Sequence, residues 1–222
     1  MSHITVAIDG PSGAGKSTAA RAAAARLGMI YADTGAIYRS IAYKALSEGV
    51  DISDERAVGE FRPSVRPELR FVDGEQRVLV NGEDVSDKIR TPEISMATSK
   101  ISAYPAVREF LLGLQRELAA KNDVIMDGRD IGTVVLPDAT LKIFLTASAE
   151  KRADRRCKEL AEKGTPQAYD DVLKDIIKRD YDDSHRQTAP LRQAPDAVLL
   201  DTGDMSLEES VDAVCALIKT KS

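Results

Sequence analysis

The sequence predicts an α/β fold, a parallel sheet covered by helices on both faces, with a small antiparallel β insert. Three observations point there. Five short apolar runs of strand length, at residues 4–9, 29–32, 124–127, 141–145 and 197–200, are separated by segments with helical patterning. Near-continuous apolar strands of this kind belong to a parallel sheet with both faces buried. One segment, ELRFVDGEQRVLVNGEDV from Glu68 to Val85, breaks the alternation with the period-two pattern of hairpin strands.

Each element has a local reason. Ile4 to Asp9 is apolar and β-branched and stops at Gly10, which makes it the first strand. Lys16 to Leu27 is rich in alanine and arginine, both strong helix formers. Met29 to Ala32 reads as a second buried strand, and Ala36 to Ser47 as a helix closed by Gly49. Within the insert, Leu69 and Phe71 alternate with polar residues, Asp73-Gly74 marks a tight turn, Val78 and Val80 alternate again, and Asn81-Gly82 marks a second turn. That is a meander of two or three strands. Further helices are expected over Val107 to Ala120, Ala149 to Lys163, Asp170 to Asp180 and Leu207 to Lys219, with strands at Val124 to Asp127, Leu141 to Leu145 and Ala197 to Leu200. Residues 162–168 (EKGTPQA) read as a mobile loop. The 222 residues carry no internal repeat and are expected to form one domain, 1–222.

Composition narrows the function. With 43% hydrophobic and 30% charged residues, a disordered or fibrous chain is excluded. No apolar run approaches the length of a membrane span. The first residues lack a basic region followed by a long apolar stretch, so no secretory signal is expected. Two cysteines, Cys157 and Cys215, without metal-type spacing suit a reducing cytoplasm, and two histidines give no basis for a zinc site. A net charge of −5 argues against coating nucleic acid by bulk charge, but a local arginine cluster can still focus positive potential on a small anion.

The run Gly10-Pro11-Ser12-Gly13-Ala14-Gly15-Lys16-Ser17 matches GxxxxGK[ST] and is followed by Thr18. Small residues let successive backbone N–H groups curl around phosphate oxygens, and the helix that starts there points its positive end at the anion. Lys16 is expected on the β- and γ-phosphates, and the Ser17 hydroxyl on Mg²⁺. The motif follows a strand and opens a helix, so the fold class becomes a three-layer sandwich of the P-loop NTPase kind. No NKxD run is present to read guanine, and no glutamine is placed to orient a water.

Three further clusters bear on the phosphate acceptor. Asp33-Thr34-Gly35-Ala36-Ile37-Tyr38-Arg39 follows the second strand, where loops face the ligand crevice of such sheets. Arg39 could reach an anion there, but taken alone it reads as a surface arginine on a helix. Asp127 ends a strand as a magnesium-holding carboxylate does, directly or through water, and Arg129 and Asp130 follow it; a structural ion pair is the alternative. Arg152, Arg155 and Arg156 share one face of an expected helix, with Arg179, Asp183 and Arg186 beyond. They form either a solvated face paired with Asp154 and Glu159, or a lid whose guanidinium groups grip phosphoryl oxygens.

With these residues in view, the chain closely resembles the bacterial cytidylate kinases, within the nucleoside monophosphate kinases. The matching segments are IDGPSGAGKST, DTGAIYR, the REF segment around Arg108, DGRDIGTVVLPDA with KIFLTA, RADRRCKEL and RDYDDSHR. They span residues 4 to about 200, and DGRDIGTVV is more family-specific than the phosphate loop. The resemblance implies transfer of the ATP γ-phosphate to CMP or dCMP. It implies a monophosphate-binding region over about 35–100 that includes the insert at 68–85, and a short helical lid over about 150–168. It places Thr34, Tyr38, Arg39, Arg129 and Asp130 on the acceptor nucleotide, Ser99 and Arg108 with Asp130 on the cytosine edge, Arg179 and Asp183 on the pentose, and Arg186 near the transferred phosphate. It also favours a monomer. Some relatives have glycine where Ser17 stands, which leaves Thr18 as the other hydroxyl for Mg²⁺.

A monophosphate is largely dianionic at neutral pH, because its second pKa is about 6. No general base is then required, and catalysis reduces to positioning and charge stabilisation. Lys16, Mg²⁺, Arg129, Arg152, Arg156 and Arg186 are the groups expected to supply it. Two other readings stand beside this one: a kinase for another small acceptor, and a nucleotide-binding switch without catalysis.

Overall fold

A computed structural model of the chain describes residues 3–72 and 75–221. The strands are β1 (Thr5–Asp9), β2 (Ile30–Asp33), β3 (Pro67–Val72), β4 (Glu75–Val80), β5 (Glu83–Asp84), β6 (Val124–Gly128), β7 (Leu141–Thr146) and β8 (Val198–Asp201). The helices are α1 (Lys16–Leu27), α2 (Thr34–Ser47), α3 (Glu55–Phe61), α4 (Pro92–Ile101), α5 (Pro105–Lys121), α6 (Ala149–Glu162), α7 (Tyr169–His185) and α8 (Leu207–Lys219). A single π-helical turn occupies Ile131–Val135.

The expected parallel sheet is present, in the order β2-β6-β1-β7-β8. Its period-two alternation sorts side chains into two cores. Val6 and Ile8 of β1, with Ile125 of β6, pack against alanines of α1 and against Val211, Val214 and Ile218 of α8. Ala7, Val124 and Met126 face the other way, onto Ala119 of α5 and the π turn. The central strands are covered on both sides, which explains their unbroken apolar runs.

The insert is the three-stranded antiparallel sheet β3-β4-β5. The expected turn at Asp73-Gly74 lies outside the described residues. The second turn is confirmed: Asn81 and Gly82 both have positive φ, 52° and 85°, and join Val80 to Glu83. Two positive φ values suit the right-handed twist of a hairpin. Val78 and Val80 of β4 pack with Ile37 and Ile41 of α2 and with Ile94 and Ile101 of α4 in a third core.

Several boundaries differ from the sequence expectation. Helix α2 starts at Thr34 rather than Ala36, because Asp33 caps it by accepting the Ala36 N–H at 2.9 Å. Helix α7 continues past Asp180 to His185. Helices α3 and α4 had no counterpart in the sequence reading; α4 is set by the Thr91 cap and Pro92 in its first turn. Helices α6 and α7 form a hairpin with its own small core of Ala153, Leu160 and Val172. Among the described residues, no helix is long and apolar enough to cross a membrane.

Candidate active site

Strand register brings three carboxylates to one end of the sheet. Asp127 of β6 is aligned with Asp33 of β2, and Gly128 with Asp9 of β1. The loop after β1 wraps this end. A Cβ on Gly10 would sit 1.9 Å from the Leu145 carbonyl oxygen, so only glycine fits. Gly13 and Gly15 take left-handed φ values of 78° and 91°, which curls the loop before α1. Lys16 is buried at the start of α1, where its ammonium donates to the Pro11 carbonyl at 2.8 Å. Burial, and then Arg129, push its pKa down to about 7.

Ser17 and Asp127 meet directly, the hydroxyl donating to the carboxylate at 2.7 Å. Tyr31 also donates to Asp127, at 2.9 Å. Burial and the neighbouring Asp33 raise the Asp127 pKa, against Lys16 and these two hydroxyls. Thr34 donates to the Asp127 carbonyl oxygen at 2.8 Å. Asp33 gathers Arg39 at 3.4 Å and Arg90 at 3.3 Å. The insert docks here as well: Gln76 of β4 accepts from the Asp33 N–H at 2.8 Å.

The segment after β6 organises the far end of the crevice. Buried Asp130 accepts from Arg108, and Arg186 lies 3.6 Å from its other oxygen. Arg108 also stands over the Tyr38 ring, 5.6 Å from its centroid. Arg129 donates to Asp183 of α7 at 2.8 Å. Burial opposes ionisation of Asp183, but Arg129, Arg179 and Arg186 outweigh it and hold the carboxyl below its ordinary value. Nε of Arg179 and Nη2 of Arg186 are buried without a hydrogen-bond acceptor among the described residues. Buried guanidinium donors left open in this way suit an anionic ligand. A cavity of about 440 Å³ runs through the site, lined by the phosphate loop, Thr34, Tyr38, Arg39, Ser99, Arg108, Asp127, Arg129, Asp130, Arg179, Asp183 and Arg186.

The arginines of α6 do not share one role. Arg152 is 4% exposed and ties the phosphate loop to α7, donating to the Ser12 carbonyl at 3.1 Å and to Asp180 at 2.9 Å. Arg155 bonds the Thr202 carbonyl and lines both the crevice and a second cavity of about 200 Å³, with Ala14, Leu145, Met205 and Leu207. Arg156 pairs with Glu159 on the exposed surface at 2.8 Å. The three positions lie three and four apart on α6, as expected, but their side chains find different partners. Arg152 and Arg155 both turn to the phosphate loop, on the Ser12 and Ala14 carbonyls, whereas Arg156 stays on the surface with Glu159, the partner the solvated-face reading gave it.

A family model described as cytidylate kinase matches residues 6–220. The chain belongs to the cytidylate kinase family. The cytidylate kinase of Lactobacillus gasseri is 51% identical to it over 216 residues, covering 97% of this chain and 94% of that one. The cytidylate kinase of Caldicellulosiruptor bescii is 49% identical over 217 residues, covering 98% and 96%. A solved structure of an uncharacterised protein from Eubacterium ventriosum shares the fold, with a TM-score of 0.50 at 12% identity, covering 98% of this chain and 99% of that one.

In this cytidylate kinase family member most of the residues singled out in the sequence converge on one crevice. Arg152 and Arg156 lie outside its lining, and Arg155 stands there instead. Tyr31, Arg90 and Asp9 were missed. Asp9 had a signal, since three of the predicted strands run into an aspartate, at positions 9, 33 and 127. Arg90 had none, because only the folded insert carries it back to Asp33.

Proposed function

We propose that the chain transfers the γ-phosphate of ATP to CMP and dCMP, releasing ADP with CDP or dCDP. The observation that carries this reading is continuity. One cavity is lined at one end by Ser12, Lys16 and Ser17 and at the other by Ser99, Arg108 and Asp130. An acceptor nucleotide in the far part and a donor's phosphates on the loop would meet beside Lys16 and Arg129, both of which line it.

The donor triphosphate is held by the curled N–H groups of residues 12–18 and by Lys16. Its base is assigned to the second cavity, between Leu145, Met205 and Leu207, with Arg155 at the junction. The acceptor phosphate meets Arg39, Arg129 and Arg186, its pentose meets Arg179 and Asp183, and its base meets Ser99, Arg108 and Asp130. An acceptor hydroxyl on Asp183 competes with the Arg129 bond and frees that guanidinium for the phosphate. Ser17 and Asp127 supply hard oxygen donors that fit Mg²⁺, which would neutralise phosphate charge there. The acceptor oxygen is already anionic, so the side chains orient and neutralise rather than remove a proton. Arg152 holds the loop and α7 in register, and the segment of about 150–168, α6 and the loop after it, is the lid that excludes water. The enzyme is assigned to the cytoplasm as a monomer that engages neither membrane nor nucleic acid.

The test is ADP release with Mg-ATP and each of CMP, dCMP, UMP, AMP and GMP. Strong preference for CMP and dCMP is expected, and ADP release indifferent to the acceptor would overturn the reading. Asp183→Ala should raise KM for CMP well above any change in KM for ATP.

A further inference from the structure

Asp9 ends the central strand and lies outside the lining of the crevice, at 4% exposure. One of its carboxylate oxygens accepts the Ile131 N–H and the other the Gly132 N–H, both at 2.7 Å. These are the first two residues of the π turn that follows Arg129 and Asp130. Burying a carboxylate is unfavourable, and burial pushes the Asp9 pKa up to about 6 against those two hydrogen bonds. A group retained under that penalty has a structural or positional task.

The opening N–H groups of a helical turn need an acceptor, and the side chain of the residue just before the turn usually provides it. That residue is Asp130, a side chain well suited to capping. Its side chain makes no capping bond. One of its oxygens accepts from Arg108, and the other faces the Arg186 guanidinium at 3.6 Å in the crevice. Asp9 therefore does from β1 what Asp130 would otherwise do locally.

We propose that Asp9 is a positioning residue for the acceptor nucleotide: by capping the 131–135 turn in place of Asp130, it leaves the Asp130 carboxylate turned to the crevice with Arg108 and Arg186. The proposal rests on the acceptor site described above. Gly132 belongs to the same device. A Cβ there would stand 3.3 Å from Asp9 Oδ2 and 3.1 Å from Lys142 Cδ, so a side chain would press the carboxylate away from the Gly132 N–H.

The test uses the full-length enzyme with Asp9→Asn and Gly132→Ala, steady-state kinetics for both substrates, and amide hydrogen exchange. Asp9→Asn keeps the shape but offers one acceptor instead of two. KM for CMP is expected to rise about tenfold, the scale of one lost charge-assisted hydrogen bond, while KM for ATP moves by less than about twofold. Amides of Ile131 and Gly132 should exchange faster in both variants. A folded Asp9→Asn enzyme with equal shifts in the two KM values, or with unchanged exchange at those amides, overturns the proposal. Should Asp9→Asn fail to fold, Gly132→Ala decides by the same criteria. If the wild type prefers another monophosphate, the CMP reading fails, and the KM split measured with that acceptor still decides the role of Asp9.

Discussion

The Ser17 hydroxyl donates to the Asp127 carboxylate at 2.7 Å, although 110 residues separate them in the chain. Parallel pairing of β1 with β6 creates the meeting, because it sets the end of β6 beside the loop that opens α1. Thr18 also lines the crevice, but Ser17 makes the bond. Ser17→Ala is therefore expected to raise the Mg²⁺ concentration for half-maximal rate about tenfold, and Thr18→Ala much less. A magnesium titration at saturating ATP and CMP checks this, and a larger effect from Thr18→Ala would move the hydroxyl role one residue along.

The neighbours Arg155 and Arg156 should separate cleanly in kinetics. Arg155 reaches the Thr202 carbonyl between the two cavities, whereas Arg156 is spent on Glu159 at the surface. Exposed pairs of that kind contribute about 0.2–1 kcal/mol. Arg155→Ala should lower kcat/KM for ATP by about a hundredfold, the usual loss for one phosphate-side donor, with Arg156→Ala within about threefold. Equal losses would mean that Arg156 swings inward when the donor binds.

How much of this was legible in the sequence follows from the range of each interaction. The phosphate loop is local: six residues lie between β1 and α1, and the structure has that strand, loop and helix with Gly10, Gly13 and Gly15 at positive φ. The Arg129-Asp130 pair was legible as a candidate site, and the family resemblance already set Arg108 with Asp130; the Arg186 and Asp183 contacts were not legible, because those residues come from α7 and the chain just after it. For the three arginines of α6 the sequence left a solvated face and a phosphate-gripping lid both open, and only the Arg156–Glu159 pair of the first was nameable in advance. Helical spacing fixes where a Cα lies, while tertiary acceptors such as the Ser12 carbonyl and Asp180 decide where a long side chain goes. Helix α4 escaped notice because its start, Thr91-Pro92, carries the signal and its apolar stripe is short.

Gly10 offers a test of the loop that is independent of any ligand. Its φ is 150°, and a Cβ would overlap the Leu145 backbone oxygen at 1.9 Å. The obstacle is backbone of the neighbouring strand β7, which cannot rotate away as a side chain can. Gly10→Ala should destabilise the fold by about 3 kcal/mol or more, read as a lower urea midpoint. Gly28, which also has positive φ but meets nothing within 4 Å, should lose only about 1 kcal/mol on the same change.

Asp9 makes a prediction about pH that needs no substrate. Its pKa stands at about 6 in the folded protein, against 3.8 as the ordinary value, first because of burial and also because of Asp130, with the two backbone N–H groups and Lys16 opposing. Between those two values the folded state holds a proton that the unfolded state has released. Stability from this group therefore rises as pH falls through 6, and the full cost of the buried charge is felt above it. Asp9→Asn cannot titrate, so the difference between wild type and variant isolates the effect from every other carboxylate. Relative to its value at pH 7.5, that difference should shift in favour of the wild type by about 1 kcal/mol at pH 5. Urea unfolding of both proteins at the two pH values measures it. A difference independent of pH would mean that Asp9 stays ionised down to the ordinary carboxylate range, with the two N–H bonds outweighing its burial.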